Sequence, residues 1–312
     1  MSSDIEKSMR KTEKLSVDST YDTNWCDMPP EVKSRCIGKM EFKERLSLRC
    51  TAKAERSLVD LAKIEFQKGS ISGQLDDGDF ELTLYFENGS EISFKSMNER
   101  LELMKYIWKV GVFEQLNISM TPLFPGEEAP AFKEKFFACT EEISAKNIHF
   151  GFCDIGIILH ILRNTKDGVE SIEMDGSGNP HPFDEILAIP QVQQTKYWHI
   201  INHDNRDGLH KVAQVWIDNN SNIGSICQLS LWTNVYIKHL FDEFLEHCAE
   251  RIVSMSEERV RIRTDSPDRH ILLECVFPRF LRLLVISADM KDSEYDYDYE
   301  TWIRRIDSWR RG

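Results

Sequence analysis

Residues 24–64 read NWCDMPPEVKSRCIGKMEFKERLSLRCTAKAERSLVDLAKI. Asp27 is placed to cap a helix whose first turn holds Pro29 and Pro30, where a missing N–H costs little. Val32, Cys36, Ile37 and Met40 recur at helical spacing and predict one apolar stripe. Phe42 and Leu46 begin a second apolar run. Leu48 falls about 200° from Leu46, because each helical residue turns about 100°. Both sides of that helix therefore carry apolar groups, and a unit of about 40 residues does not bury two such sides within itself. One side serves a small core of its own. The other needs a partner outside the chain, or packs as a helical cap on the rest of it.

The order of residues carries more than the pattern. Trp25, Met28-Pro29 with Glu31-Val32, Cys36-Ile37, Met40, Leu46, then Leu48-Arg49-Cys50-Thr51 resembles the F-box, a family with a hydrophobic–Pro–x–Glu start and a closing apolar–Arg helix. Met28 stands where Leu is usual, Cys36 where Ile is usual, and Ala54 where a large residue is common. The resemblance implies a three-helix unit that docks on the Skp adaptor of a cullin–RING ubiquitin ligase. The expected adaptor-facing residues are Trp25, Met28, Pro29, Val32, Ile37, Met40, Leu46 and Leu48, since large apolar groups dominate such interfaces.

Composition sets the outer bounds. The 312 residues allow one large or two modest domains, and 41% hydrophobic content with 10% aromatic content is that of a globular chain. A net charge of −13 argues against general nucleic-acid binding and against docking on an anionic membrane. The start, MSSDIEKSMRKTEKLS, lacks the apolar centre of a secretory signal. No run approaches ~20 apolar residues. An intracellular protein, cytoplasmic and/or nuclear, is expected. Cys26, Cys36, Cys50, Cys139, Cys153, Cys227, Cys248 and Cys275 form no CxxC pair, and free thiols are expected.

Along the chain, residues 1–20 are expected as a flexible tail and 21–66 as the F-box. Residues 67–125 are expected as a connecting β-hairpin and helix. Within them Phe80, Leu82, Leu84 and Phe86 alternate, Asn88-Gly89 predicts a two-residue hairpin turn, and Met97 to Val110 reads as a helix. Pro122, Pro125-Gly126 and Pro130 mark a joint. From 126 to 312 strands and helices alternate. Strands are centred near Leu116–Ile118, Ile148, Ile172, Ile200 and Leu229, the later ones roughly 24 to 29 residues apart. Helical segments lie at Asp154–Arg163, Phe183–Val192, Leu209–Ile217 and Val235–Val253. The fold class is thus α+β or α/β: a three-helix unit, a small antiparallel β unit, then a strand–helix repeat. A curved, leucine-rich-repeat-like solenoid and an ordinary open α/β domain are both open. RVRIRT, HILLECVF and FLRLLVISADM read as further strands. The C-terminal DSEYDYDYETWIRRIDSWRRG joins an acidic run to a short amphipathic helix with Trp302 and Trp309.

The stretch from Phe136 to Ile200 resembles the FTH domain, which follows the F-box in a large nematode-type family. The matching elements are Leu159 to Leu162, GVESI at 168–172, and FDEIL at 183–187 with Pro190-Gln191. The similarity covers about 132–263. It implies that this region meets a target protein while the F-box holds the ligase.

No residue pattern carries recognisable chemistry. His199 and His203 stand four apart with Asp204, but in a strand-like setting without HExxH, so no metal is expected. The loop at 176–180, GSGNP, lacks the patterns of phosphate loops and of a nucleophile elbow. Arg259, Arg261 and Arg263 share one strand face and read as a solvated face rather than a phosphate grip. No Ser or Cys stands beside a His and an acid at a recognisable spacing, so neither catalysis nor a cofactor is expected. The expected target surface is the row opposite the core: Asn147, His149, Glu173, Tyr197, His199 and Gln228, with Ser171 and Ser230. The reading is a non-catalytic substrate adaptor, linked through Skp to a cullin and to an unknown target. The alternatives are an F-box scaffold without a ligase role and a divergent α/β enzyme.

Overall fold

A computed structural model describes residues 24–74, 80–94, 97–121, 130–176, 182–201, 208–230, 235–276 and 280–294. The N-terminal tail, the proline joint, most of the glycine loop, His203 with Asp204, and the C-terminal tryptophans lie outside them. The chain divides into two compact units, Met1–Lys63 and Ile64–Gly312.

The first unit is helical. After a 3₁₀ turn at Trp25–Asp27 come α1 (Pro30–Lys39), α2 (Phe42–Arg49) and α3 (Lys53–Val59). Asp27 does not cap α1. It lies within the 3₁₀ turn, whose cap is Asn24, and Pro29 takes the N-cap place of α1. α2 opens on a capping box in which Glu41 and Glu44 each bond the other's backbone N–H. Buried Arg45 then spends its fork on three backbone carbonyls: Nε to Met40 O at 3.1 Å, Nη2 to Gly38 O at 3.1 Å and Nη1 to Lys63 O at 3.2 Å. These bonds tie the end of α1 to the end of the unit. The helices stop at Val59, earlier than the expected Phe66, because Ile64 and Phe66 already alternate inward in a strand.

The second unit is built on a mixed sheet. Its strands are β1 (Ile64–Gln74), β2 (Phe80–Tyr85), β3 (Glu91–Phe94), β4 (Gly111–Thr121), β5 (Ser144–Phe150), β6 (Ser171–Asp175), β7 (Tyr197–Ile201), β8 (Ile226–Ser230), β9 (Ile252–Met255), β10 (Arg259–Arg263), β11 (Arg269–Val276) and β12 (Phe280–Ser287). The order is β3-β2-β1-β4-β5-β6-β7-β8-β12-β11-β10-β9. The helices are α4 (Met97–Val110), α5 (Pro130–Cys139), α6 (Ile155–Arg163), α7 (Phe183–Leu187), α8 (Pro190–Gln194), α9 (Leu209–Asp218) and α10 (Val235–Cys248). The architecture is α+β.

β1 and β4 to β8 run parallel, each joining the next in chain order. Such crossovers share one hand, so their helices fall on one side of the sheet. α4 packs on α5, α6 on α8, α7 on α9, and α9 on α10. On the core side Leu116, Ile148, Ile172, Trp198, Cys227 and Leu283 are all buried. Antiparallel strands finish both edges. Residues 64–121, expected partly as a connector, supply the first four strands of this one sheet. The reason is β1, whose inward residues pair it in parallel with β4.

Three local readings are corrected. The turn at Asn88-Gly89 has three residues, not two: Gly89 N–H bonds Phe86 O at 2.9 Å, Phe86 N–H bonds Ser90 O at 2.9 Å, and Gly89 sits at φ +78°. That is a type I turn closed by a left-handed glycine. The expected helix Phe183–Val192 breaks into α7 and α8, because Pro190 lacks an N–H and disfavours helical backbone before it. The helix expected to reach Val253 stops at Cys248, and Ile252 to Met255 join β10 as an edge strand.

Candidate functional site

The helical unit offers apolar surface. Val32 is 42% exposed, Pro29 is exposed, and Trp25, Met28, Met40, Leu46 and Leu48 are half-buried. Ile37, expected among them, is wholly buried. Val32 and Ile37 lie roughly 140° apart on the helix, so one faces out while the other faces in. Trp25 is held by Lys33, whose Nζ lies 5.8 Å from the ring and donates to Cys26 O at 3.3 Å. Leu61, 75% exposed in the turn after α3, was missed; no helical period marks a residue that has left its helix.

The sheet face opposite the core carries a polar row fixed by strand register. Asn117, His149, Glu173, His199, Gln228, Arg282, Glu274 and Arg259 are successive partners from β4 to β10. At its centre His149 Nε2 lies 3.2 Å from Glu173 Oε1, and His199 Nδ1 lies 3.2 Å from Glu173 Oε2. His199 Nε2 lies 2.7 Å from Ser230 Oγ. Ionised Glu173 accepts from both imidazoles. With its proton on Nδ1, His199 accepts the Ser230 hydroxyl through Nε2. Burial pushes the Glu173 carboxyl pKa up, but the hydrogen bonds it accepts from His149 and His199 outweigh it and hold the group well below the usual range. Beside this chain Ser171 donates to Asn147, which donates to Glu114 O at 2.9 Å. Further along, Glu274 pairs with Arg259 at 3.1 Å and with Arg282.

The register brings all six expected target-facing residues to one face, but buries three of them. Glu173, Tyr197 and His199 are 8%, 2% and 1% exposed, while Asn147, His149 and Gln228 are half-buried. Polar groups that satisfy one another need no water, so polarity did not mean exposure. Tyr197 packs with Ile226 and Leu284 in a small apolar cluster on this face. The fold also gathers Ser230, His199 and Glu173 in the order of a nucleophile, base and acid, which their spacing in the chain conceals. With His199 enclosed, this chain of bonds ties β6, β7 and β8 together.

The arginine stripe is committed to structure. Arg261, buried, bonds His270 Nδ1 at 2.8 Å and the carbonyls of Ser287, Ala288 and Met290. Arg263 bonds Glu250 O at 3.0 Å. His199 bonds Glu173 and Ser230, and His203 lies outside the described residues. All eight cysteines are free thiols. Among the described residues no helix is long and apolar enough to cross a membrane.

Against known families, residues 25–67 match the F-box domain. The match takes in the three helices and the first residues of β1. F-box domains bind Skp-type adaptors. No curated protein matches the chain, and no solved structure does.

Proposed function

We propose that this protein is the substrate-recognition subunit of a Skp–cullin–F-box ubiquitin ligase. The helical unit binds the Skp-type adaptor through Met28, Pro29, Val32, Leu48 and Leu61, and a cullin joins through the adaptor. The sheet unit recruits the target by its polar face, where Asn147, His149 and Gln228 are partly exposed. Its resemblance over 132–263 to the FTH domain, and to the repeat-like build of such regions, supports that division of labour. Ubiquitin transfer is left to the partners. The observation that carries the reading is the F-box match on a unit whose outward apolar residues form no part of a buried core.

Affinity purification of the intact chain beside one lacking 24–63 tests it. Adaptor and cullin come with the first and not with the second, and a target comes with both. Recovery of the adaptor without a cullin favours a scaffold without a ligase role.

A further inference from the structure

We infer that the seam between α9 and α10 binds a divalent transition-metal ion of the zinc class through His210, Glu243 and His247. Glu243 and His247 stand four apart on α10, so one lies above the other on the same helix face. α9 packs on α10 and brings His210 to them. His210 Nδ1 lies 3.4 Å from Glu243 Oε1, and the His210 and His247 rings stack with centroids 3.8 Å apart and planes 11° apart. One donor atom from each residue lies within 4.8 Å of the other two.

His247 Nδ1 lies 2.9 Å from the carbonyl oxygen of Glu243. That bond seats the proton on Nδ1 and gives the lone pair to Nε2, the nitrogen a metal would take. It also orients the ring from behind, as outer-shell partners of metal ligands do. Two imidazoles and one carboxylate suit zinc, copper or nickel, whereas calcium and magnesium take oxygen ligands. Three protein ligands leave a coordination position for water or a further donor. His210 and Glu243 are partly sheltered, and exposed His247 is the entry side. Metal–nitrogen bonds are about 2.0–2.1 Å, so the donors draw closer together than the present 4.8 Å limit and the stacked rings splay apart when the ion binds. A bound ion would clip α9 to α10, the last two helices of the layer.

The test is titration of the full chain, its exposed thiols alkylated, with Co²⁺ alone. Cobalt is the probe because its visible absorption reports ligand type and geometry. One equivalent binds saturably, and Zn²⁺ displaces it. His210→Ala and His247→Ala each weaken binding by more than the roughly 10–100-fold that loss of an outer-shell partner costs, and Glu246→Gln, on the exposed side of α10, leaves it unchanged. Absence of a saturable signal, or equal binding by His210→Ala, overturns the site. A second measurement needs no variant: Zn²⁺ protects His210 and His247 of the native chain from diethyl pyrocarbonate. Undiminished modification of both overturns the site as well.

Discussion

Glu173 keeps a negative charge with 8% of its surface exposed, because two imidazoles take its two oxygens. Glu173→Gln keeps the shape and removes the charge, and is expected to cost about 3 kcal/mol at neutral pH, the scale of a broken buried pair. The sign of its pH dependence follows from the depressed folded pKa. The carboxylate stabilises fully above the unfolded value of about 4.3, and that advantage fades as pH falls toward the folded value. Urea unfolding of both proteins at several pH values should show the gap closing in acid; a constant gap contradicts the assignment. The thiols give a second residue-scale outcome. Burial pushes Cys139, Cys153 and Cys227 up to about 12 and Cys248 to about 11. Since the thiolate is the nucleophile, iodoacetamide at mildly alkaline pH should modify exposed Cys26 and Cys50 in the native protein. The four buried cysteines should appear by mass spectrometry only after denaturant is added.

Two elements make their own predictions. Between the 3₁₀ turn and α1, Met28 is half-buried and Pro29 exposed. Changing both to Ala should weaken adaptor binding by an amount on the order of 1–3 kcal/mol if they anchor the interface, with helical content unchanged. Calorimetry against the purified adaptor reads the first and circular dichroism the second. In the sheet, β1 and β4 meet at Gly69, where an added Cβ would lie 2.6 Å from the Phe113 ring. That ring stacks on Phe66 at 5.2 Å and meets Trp108 edge-on at 5.9 Å, so it has little room to retreat. Gly69→Ala should destabilise the protein by about 1–3 kcal/mol, the usual cost of overpacking. A melting temperature equal to that of the unchanged chain would show that the aromatic cluster yields.

At the scale of the molecule the proposed function gives the two units two tasks, and variants should separate them. Replacing Glu173, Tyr197 and His199 to test target binding would confuse lost folding with lost recognition, since all three are buried. His149→Gln with Gln228→Lys changes partly exposed members of the row instead. The first change replaces the imidazole N–H with an amide N–H donor for Glu173, and the second adds a positive charge to the face beside Arg282. The pair should reduce target recovery while the adaptor still co-purifies, as quantitative mass spectrometry would read. Equal recovery of the target moves its site elsewhere on the sheet unit.

What the sequence determined by itself is what local order encodes. Pro29, Glu31 and the apolar spacing of 32–48 announced the helical unit. The alternation around Ile148, Ile172, Ile200 and Leu229 placed these strands near their centres, because side chains in a strand alternate with period two. The composition of the polar row, from Asn147 to Gln228, was legible for the same reason. Only the tertiary structure decided what those residues do there. Register is a relation between strands far apart in the chain, so no local pattern shows that Glu173 lies between His149 and His199, or that Ser230 completes the chain of bonds. Nor does it show that Ile37 turns inward while Val32 turns out, or that β1 joins β4 and makes the expected connector part of the main sheet. Burial of a polar group depends on whether its partners arrive, and it is the fold that brings them.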